Sequence, residues 1–131
     1  NGDPITMTER YTVEDILNHR YAPETVSPAN FTTADAYVAV TGSSLDLFFK
    51  TTLAYTIKDV HVSAGITVQV VGANESDFSD EVVVNGPTVL AAAALTSYTV
   101  SPAPYRYYRV EAKSTVGSTP GTTRVRGIAK G

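Results

Sequence analysis

Hydrophobic and polar residues alternate along most of the chain after Asn30, with the period of two that is typical of β-strands. The alternating segments are short, rich in β-branched or aromatic residues, and closed by Gly, Ser, Asn or Asp. No helical pattern of about 10 residues separates them, so the pattern favours an antiparallel β-sandwich or jelly roll of about eight strands. The predicted strands cover residues 37–42, 45–50, 55–62, 66–71, 81–84, 89–95, 98–100, 105–114 and 122–129, with residues 91–94 assigned to strand or loop.

Alternation also assigns faces within the strand over residues 105–114. Tyr108, Val110 and Ala112 are predicted to point into the core. The residues between them are then predicted on the surface, namely Tyr107, Arg109, Glu111 and Lys113.

Two other strands carry more specific predictions. His61 is predicted on the solvent face of its strand, together with Asp59. Val125 and Ile128 are an odd number of residues apart around Gly127, which predicts a bulge or bend.

The first thirty residues follow a different pattern. Thr12 is a candidate N-cap, and Val13, Ile16 and Leu17 have helical spacing. The spacing predicts one short helix within residues 8–21, which should end before Pro23. A helix of this length is marginal by itself and needs a surface to dock on. We therefore expect an N-terminal arm over residues 1–30 and a β-sandwich domain over residues 31–131.

Composition narrows the class of protein. The 131 residues are 43% hydrophobic and 18% charged, which predicts one soluble globular domain. No apolar run approaches the roughly 20 residues that span a bilayer, so no membrane partner is expected. The absence of cysteine excludes disulfides, thiolate metal sites and cysteine nucleophiles.

The net charge of −3 conceals an asymmetry along the chain. Residues 105–131 hold six cations and one acid, whereas residues 1–104 hold four cations and twelve acids. A basic tail suggests nucleic acid, but these cations alternate with apolar residues on predicted strands, and the pI near 5.2 opposes attraction to phosphate. Nucleic acid is thus disfavoured, and pairing with the acidic remainder, within or between subunits, is favoured.

Motifs for catalysis or cofactor binding are not found. His19 and His61 are the two histidines, the Ser-containing segment 41–44 is not a nucleophile elbow, and no phosphate-binding glycine loop is present. The acidic segment 74–81 lacks the residue order of a calcium loop and is better explained as a solvated hairpin connection. No catalytic residue, cofactor or metal is therefore predicted, and the protein is not expected to be an enzyme.

A tyrosine-rich strand allows sugar binding as an alternative function. Tyr105 and Tyr107, with Asn74 and Asp77 of the acidic segment, could form a ligand face on which a sugar stacks. Tyrosines in a strand more often pack in a sheet with one wet edge. Sheet packing is the favoured interpretation.

Three segments resemble a known family. They are the strand and polar loop over residues 66–80, the Tyr-Arg-Tyr-Tyr-Arg-Val strand over residues 105–114, and the closing strand over residues 120–130 with its Gly-Ile-Ala ending. Together they resemble a β-sandwich module of virion proteins of tailed bacteriophages, found in head decoration proteins, head fibres and tail-associated proteins. The sequence departs from that pattern at Ala73 and Glu75, and it lacks a Trp after the loop. The resemblance covers about residues 37–131 and not the arm.

The resemblance implies a non-enzymatic structural protein on the exterior of a phage virion, above all a capsid decoration subunit. It implies a homo-oligomer, with a trimer expected, in contact with the major capsid protein or other virion proteins. A receptor- or glycan-binding module of a fibre or tail is the alternative. The residues predicted to make assembly contacts are Ile16, Leu17 and Tyr21 of the arm and Arg109, Arg124 and Arg126 of the β region.

Overall fold

The computed structural model describes residues 24–26, 30–48, 50–115 and 120–131, with the backbone alone for residues 24–26. Within these ranges the chain forms strands and no helix, so no helix there is long and apolar enough to cross a membrane. The helix predicted within residues 8–21 lies outside the described residues. The strands are β1 (Glu24–Val26), β2 (Asn30–Thr32), β3 (Val38–Ala39), β4 (Leu45–Asp46), β5 (Thr52–Asp59), β6 (Ile66–Ala73), β7 (Val82–Leu90), β8 (Leu95–Val100), β9 (Tyr107–Ser114) and β10 (Thr122–Lys130).

The strands form two antiparallel sheets that pack face to face. In sheet 1 the strand order is β1 and β2 together, then β10, β5 and β8. The strands β1 and β2 share one position because they pair with opposite ends of the same edge of β10. In sheet 2 the order is β3/β4, β9, β6, β7, since β3 and β4 share an edge of β9 in the same way. Each sheet thus has four strand positions, and the order is that of an eight-stranded jelly roll. The predicted fold class is confirmed. The strand β1 and Asn30 fall inside the segment predicted as an arm, and both pair with β10.

Alternating residues of both sheets fill the core between them. Tyr108, Val110 and Ala112 of β9 are fully buried there, as the alternation predicts. Tyr55 of β5 is also fully buried, and its hydroxyl donates a 2.6 Å hydrogen bond to the backbone oxygen of Ser43. That bond joins sheet 1 to the loop between β3 and β4, and the backbone oxygen of Tyr108, at 3.2 Å, is a second acceptor for the same buried hydroxyl.

Two strand predictions are corrected by the pairing. Residues 82–84 and 89–90, predicted in two separate strands, belong to the single strand β7, whereas residues 91–94 form the turn that follows it and Leu95 begins β8. The bulge predicted at Gly127 is wrong, because β10 pairs with β5 without interruption from Thr123 to Lys130. Val125 simply faces the core while Ile128 faces outward, and the irregular register lies between β6 and β7 instead.

The prediction for His61 and Asp59 is also wrong. Asp59 ends β5 and points into the sandwich, fully buried, because it continues the inward alternation of Tyr55 and Ile57. Its Oδ1 accepts a 2.8 Å hydrogen bond from the His61 amide. His61 therefore lies in the turn after β5, where its Nδ1 accepts hydrogen bonds from the amides of Ser63 and Ala64 at 3.0 and 2.8 Å.

Candidate assembly surfaces

The outer face of sheet 1 carries a strip of cations. Arg124 and Arg126 point outward from β10, and the register places Lys58 of β5 directly opposite Arg124. Lys130 lies further along the same face. Among the strand residues of this sheet whose side chains are described, none that points outward is acidic. We call Lys58, Arg124, Arg126 and Lys130 the basic face.

Internal contacts neutralise little of the basic face. Arg124 Nε donates a 3.0 Å hydrogen bond to the side-chain oxygen of Asn30, which carries no charge. Arg124 and Lys58 are like charges on directly paired positions, an arrangement that destabilises a sheet. Beside Lys130 lies a shallow depression of about 160 Å³, lined by Thr52, Leu53, Ala54, Thr99, Ile128 and Lys130. The described strand residues of this sheet therefore provide no outward counter-charge for the basic face.

Arg109 lies on the outer face of the other sheet, and it is engaged within its own chain. Its guanidinium donates to Glu81 at 3.1 Å and to Glu111 at 3.2 Å, and it lies 4.1 Å from the centre of the Phe78 ring. The structure therefore separates Arg109 from Arg124 and Arg126, with which it was grouped as an assembly residue.

Glu111 faces outward, as the alternation predicts, but the expectation that it lies on the surface is wrong. It is only 7% exposed, because Arg109 and Gln69 cover it, and Gln69 Nε2 donates a 2.9 Å hydrogen bond to its carboxylate. Partial burial and the neighbouring Glu111 raise the pKa of Glu81, while Arg109 acts in the opposite direction. Arg109 is thus the cation that allows two carboxylates to lie close together.

Aromatic rings and arginines contact one another along this side of sheet 2. Phe78, in the β6–β7 loop, has a left-handed backbone φ of 59° and folds back over the sheet, with its ring edge-on to Tyr107 at 6.4 Å. The Arg106 guanidinium lies between the rings of Tyr107 and Phe48, at 4.9 and 4.6 Å from their centres. We call Phe48, Arg106, Tyr107, Phe78 and Arg109 the arginine–aromatic stack.

Asp46 fixes one end of the arginine–aromatic stack. Its two carboxylate oxygens accept hydrogen bonds from Arg106 at 2.9 and 3.1 Å, and it also accepts one from the Phe48 amide. Partial burial acts to raise the pKa of Asp46, but these hydrogen bonds outweigh it and hold the pKa below its ordinary value.

The residues predicted as a ligand face do not form one platform. Tyr105 packs edge-on against the buried Tyr108 ring at 6.3 Å, and its amide donates to the Tyr108 hydroxyl at 2.9 Å. Tyr107 instead belongs to the arginine–aromatic stack. Asn74 and Asp77 lie in the β6–β7 loop, close to Tyr107 because Ala73 pairs with it. A role of these four residues in ligand binding remains a prediction.

The β6–β7 loop is acidic and held by its own hydrogen bonds. Asp80 accepts hydrogen bonds from the amides of Asn74 and Glu75, both at 3.1 Å, and Asp77 accepts one from Ser79 at 2.9 Å. The Ser79 hydrogen bonds lower the pKa of Asp77. This arrangement agrees with the predicted hairpin connection.

Ile16, Leu17 and Tyr21 lie outside the described residues. Among the residues that are described, no group of three His, Cys, Asp or Glu side chains could hold a metal ion.

Sequence reasoning missed one surface, the open side of the sandwich. The last strand of each sheet, β7 and β8, pairs on one side only. Val83 and Val89 of β7 are 52% and 65% exposed, and Leu95 of β8 is 59% exposed. The valines are visible in the sequence as strand formers, but their position at an edge depends on pairing between distant segments.

Comparisons with known proteins identify the fold and no family. No family model matches the chain, and no curated protein matches it. A solved structure of Bacillus endospore appendages, described as a novel family of disulfide-linked pili, is similar with a TM-score of 0.54 and 14% identity over 85% of this chain and 88% of that chain. PirA is similar with a TM-score of 0.51 and 13% identity over 78% and 94% of the two chains. The SPBc2 prophage-derived protein YomS has a TM-score of 0.41 and 15% identity over 82% and 93%. At these identities the likeness to the first two structures is one of fold alone, and the class, a jelly-roll domain, is defined by the strand order.

Proposed function

We propose that this chain is a non-enzymatic structural subunit that assembles with copies of itself on the outside of a larger particle. The open side of the sandwich carries the proposal. An edge strand offers unpaired backbone groups for a further strand, and exposed apolar side chains on it favour contact with a partner. Val83, Val89 and Leu95 provide such side chains on β7 and β8.

The similarity to the spore appendage structure supports a role in assembly. Its description is of a pilus, which is built from many subunits, and this chain shares its fold over 85% of its length. Those pili are described as disulfide-linked, whereas this chain has no cysteine. Contacts made by these 131 residues therefore cannot include disulfide bonds.

The more specific role that we propose is decoration of a phage capsid, as a trimer in contact with the major capsid protein. The resemblance to virion modules supports it, because the segments that carry the resemblance include the paired strands β6 and β9 and the closing strand β10. Decoration works through many copies on a symmetric lattice, where modest contacts add up. Mass spectrometry of purified particles should find tens to hundreds of copies, and absence from particles would refute this role.

A matched pair of variants tests the assembly proposal. Val89→Lys places a charge on the β7 edge, whereas Val62→Lys changes a valine that is 92% exposed in the turn after β5. Light scattering should give a mass well above 13.9 kDa for the unchanged protein and for Val62→Lys, and a reduced mass for Val89→Lys. A monomeric unchanged protein at all concentrations would refute assembly. Equal masses for both variants would show that the β7 edge is not the contact through which the protein assembles.

Glycan or receptor binding is the second candidate, and the arginine–aromatic stack favours it. Arg106, Asp46 and Phe48 are partly exposed, which gives a charged pair beside an aromatic ring, as carbohydrate sites often have. A glycan array with the unchanged protein and Phe48→Ala tests this candidate. Binding that the substitution abolishes would support it, and no binding to any glycan would refute it.

A further inference from the structure

We infer that the basic face binds the acidic β6–β7 loop of a second copy of this chain, in a head-to-tail contact. This inference rests on the proposed self-assembly and adds a second contact, besides the β7–β8 edge, between two named surfaces. The basic face presents Lys58, Arg124, Arg126 and Lys130 with no outward acid among the described strand residues of its sheet. The repulsion between the directly paired Arg124 and Lys58 would be relieved by a counter-charge from outside the sheet.

The β6–β7 loop supplies that counter-charge. Glu75, Asp77 and Asp80 are exposed, and residues 74–81 include no cation. Because the loop is held by its own side-chain hydrogen bonds, little further ordering is needed when it binds. The two surfaces are therefore complementary in charge, and the loop is preorganised.

The contact has to form between copies. Phe78 anchors the loop on the outer side of sheet 2, against Val71, Ala73 and Tyr107, while the basic face covers the outer side of sheet 1. The two sheets lie between these surfaces, so the loop of one copy cannot reach its own basic face. One partner cannot meet both surfaces either, because they lie on opposite sides. The contact is thus heterologous, and it produces a ring if the rotation closes or a filament if it does not.

A second copy fits the basic face better than a nucleic acid or another polyanion. The net charge of −3 gives no long-range attraction for a polyanion, whereas a contact between two local patches needs only short-range complementarity. Such a contact is screened by salt, so the assembly should weaken as ionic strength rises.

Charge reversal of each surface tests the contact. The face variant combines Arg124→Glu with Arg126→Glu, and the loop variant combines Glu75→Lys with Asp77→Lys. All four side chains lie on the surface, and circular dichroism checks that each variant keeps the fold. Each variant alone should associate about tenfold more weakly or worse than the unchanged protein, because like charges then meet. An equimolar mixture should recover association between unlike variants, since each reversed surface meets its complement in the other variant, whereas a ring of three would keep one mismatched contact.

Asp35→Lys, on an exposed residue before β3, is the control and should leave association unchanged. If the loop variant loses its fold, Glu75→Lys alone replaces it, with a smaller expected loss. An unchanged protein that assembles while both variants assemble equally well would overturn the contact and leave the proposed function standing. A protein that never assembles would refute the proposed function itself. Binding of a short DNA duplex that is lost in the face variant, with assembly unaffected, would assign the face to a polyanion and overturn the inference.

Discussion

Replacement of Arg109 by methionine separates a structural role from an assembly role for this residue. Methionine keeps an apolar stem over Phe78 but removes the cation between Glu81 and Glu111. Loss of one partner of a fully buried ion pair costs about 3–5 kcal/mol. The Arg109 and Glu81 side chains are 23% and 33% exposed, so water relieves part of this cost. We expect a loss of about 2 kcal/mol in the free energy of unfolding, which lowers the melting temperature by about 7 °C for a domain of this size.

The second substitution of this test is Glu111→Gln, combined with Arg109→Met. It removes the buried charge, while the amide oxygen of the new side chain can still accept from Gln69. The double variant should therefore be more stable than Arg109→Met alone, as measured by thermal and denaturant unfolding. A stability of Arg109→Met within about 0.5 kcal/mol of the unchanged protein, together with a lower oligomer mass, would refute the reasoning and make Arg109 a contact residue.

Three further substitutions test the fold around the site. Tyr55→Phe removes the hydroxyl that bonds to Ser43, which should cost about 1–2 kcal/mol in denaturant unfolding, and an unchanged midpoint would contradict this. Gly72→Ala places a methyl group 2.8 and 2.9 Å from two tyrosine rings, so we expect a loss of about 1–3 kcal/mol, whereas equal or greater stability would show that the rings move freely. Asp46 has a lowered pKa in the folded state, so its contribution to stability is present above its unfolded value near 3.8 and is lost as the pH falls through the folded value. The unchanged protein should thus be more stable than Asp46→Asn at pH 6, and this difference in stability should shrink as the pH falls below about 3.8. A difference that grows with acidity would contradict the stabilising contact between Asp46 and Arg106.

Local sequence pattern predicted most of the strands and the inner face of β9, but it placed Asp59 on the wrong face of β5. The side chain of every second residue in a strand lies on the same face, so Tyr108, Val110 and Ala112 could be assigned to the core before any pairing was known. The number and closeness of such segments indicated an antiparallel sandwich or jelly roll, and only the strand order identifies the jelly roll. Strand order did not follow, because β10 pairs with β5 and β6 with β9 across long separations in the chain. The exposed edge at β7 and β8 is a consequence of that order, and alternation alone contains no signal for it.

For the charged residues, too, the sequence determined one part of the outcome and the tertiary structure the other. The sequence alone establishes a basic C-terminal segment in an acidic chain, but alternation specifies only which side of a strand a charge occupies. Tertiary pairing brought Lys58 opposite Arg124 and placed Arg109 on the other sheet, between two carboxylates and against Phe78. It also buried Glu111 on an outward face and Asp59 on an inward one. Burial depends on what covers a side chain, and the covering residues come from segments far away in the sequence, so only the folded chain decides which charges remain available to a partner.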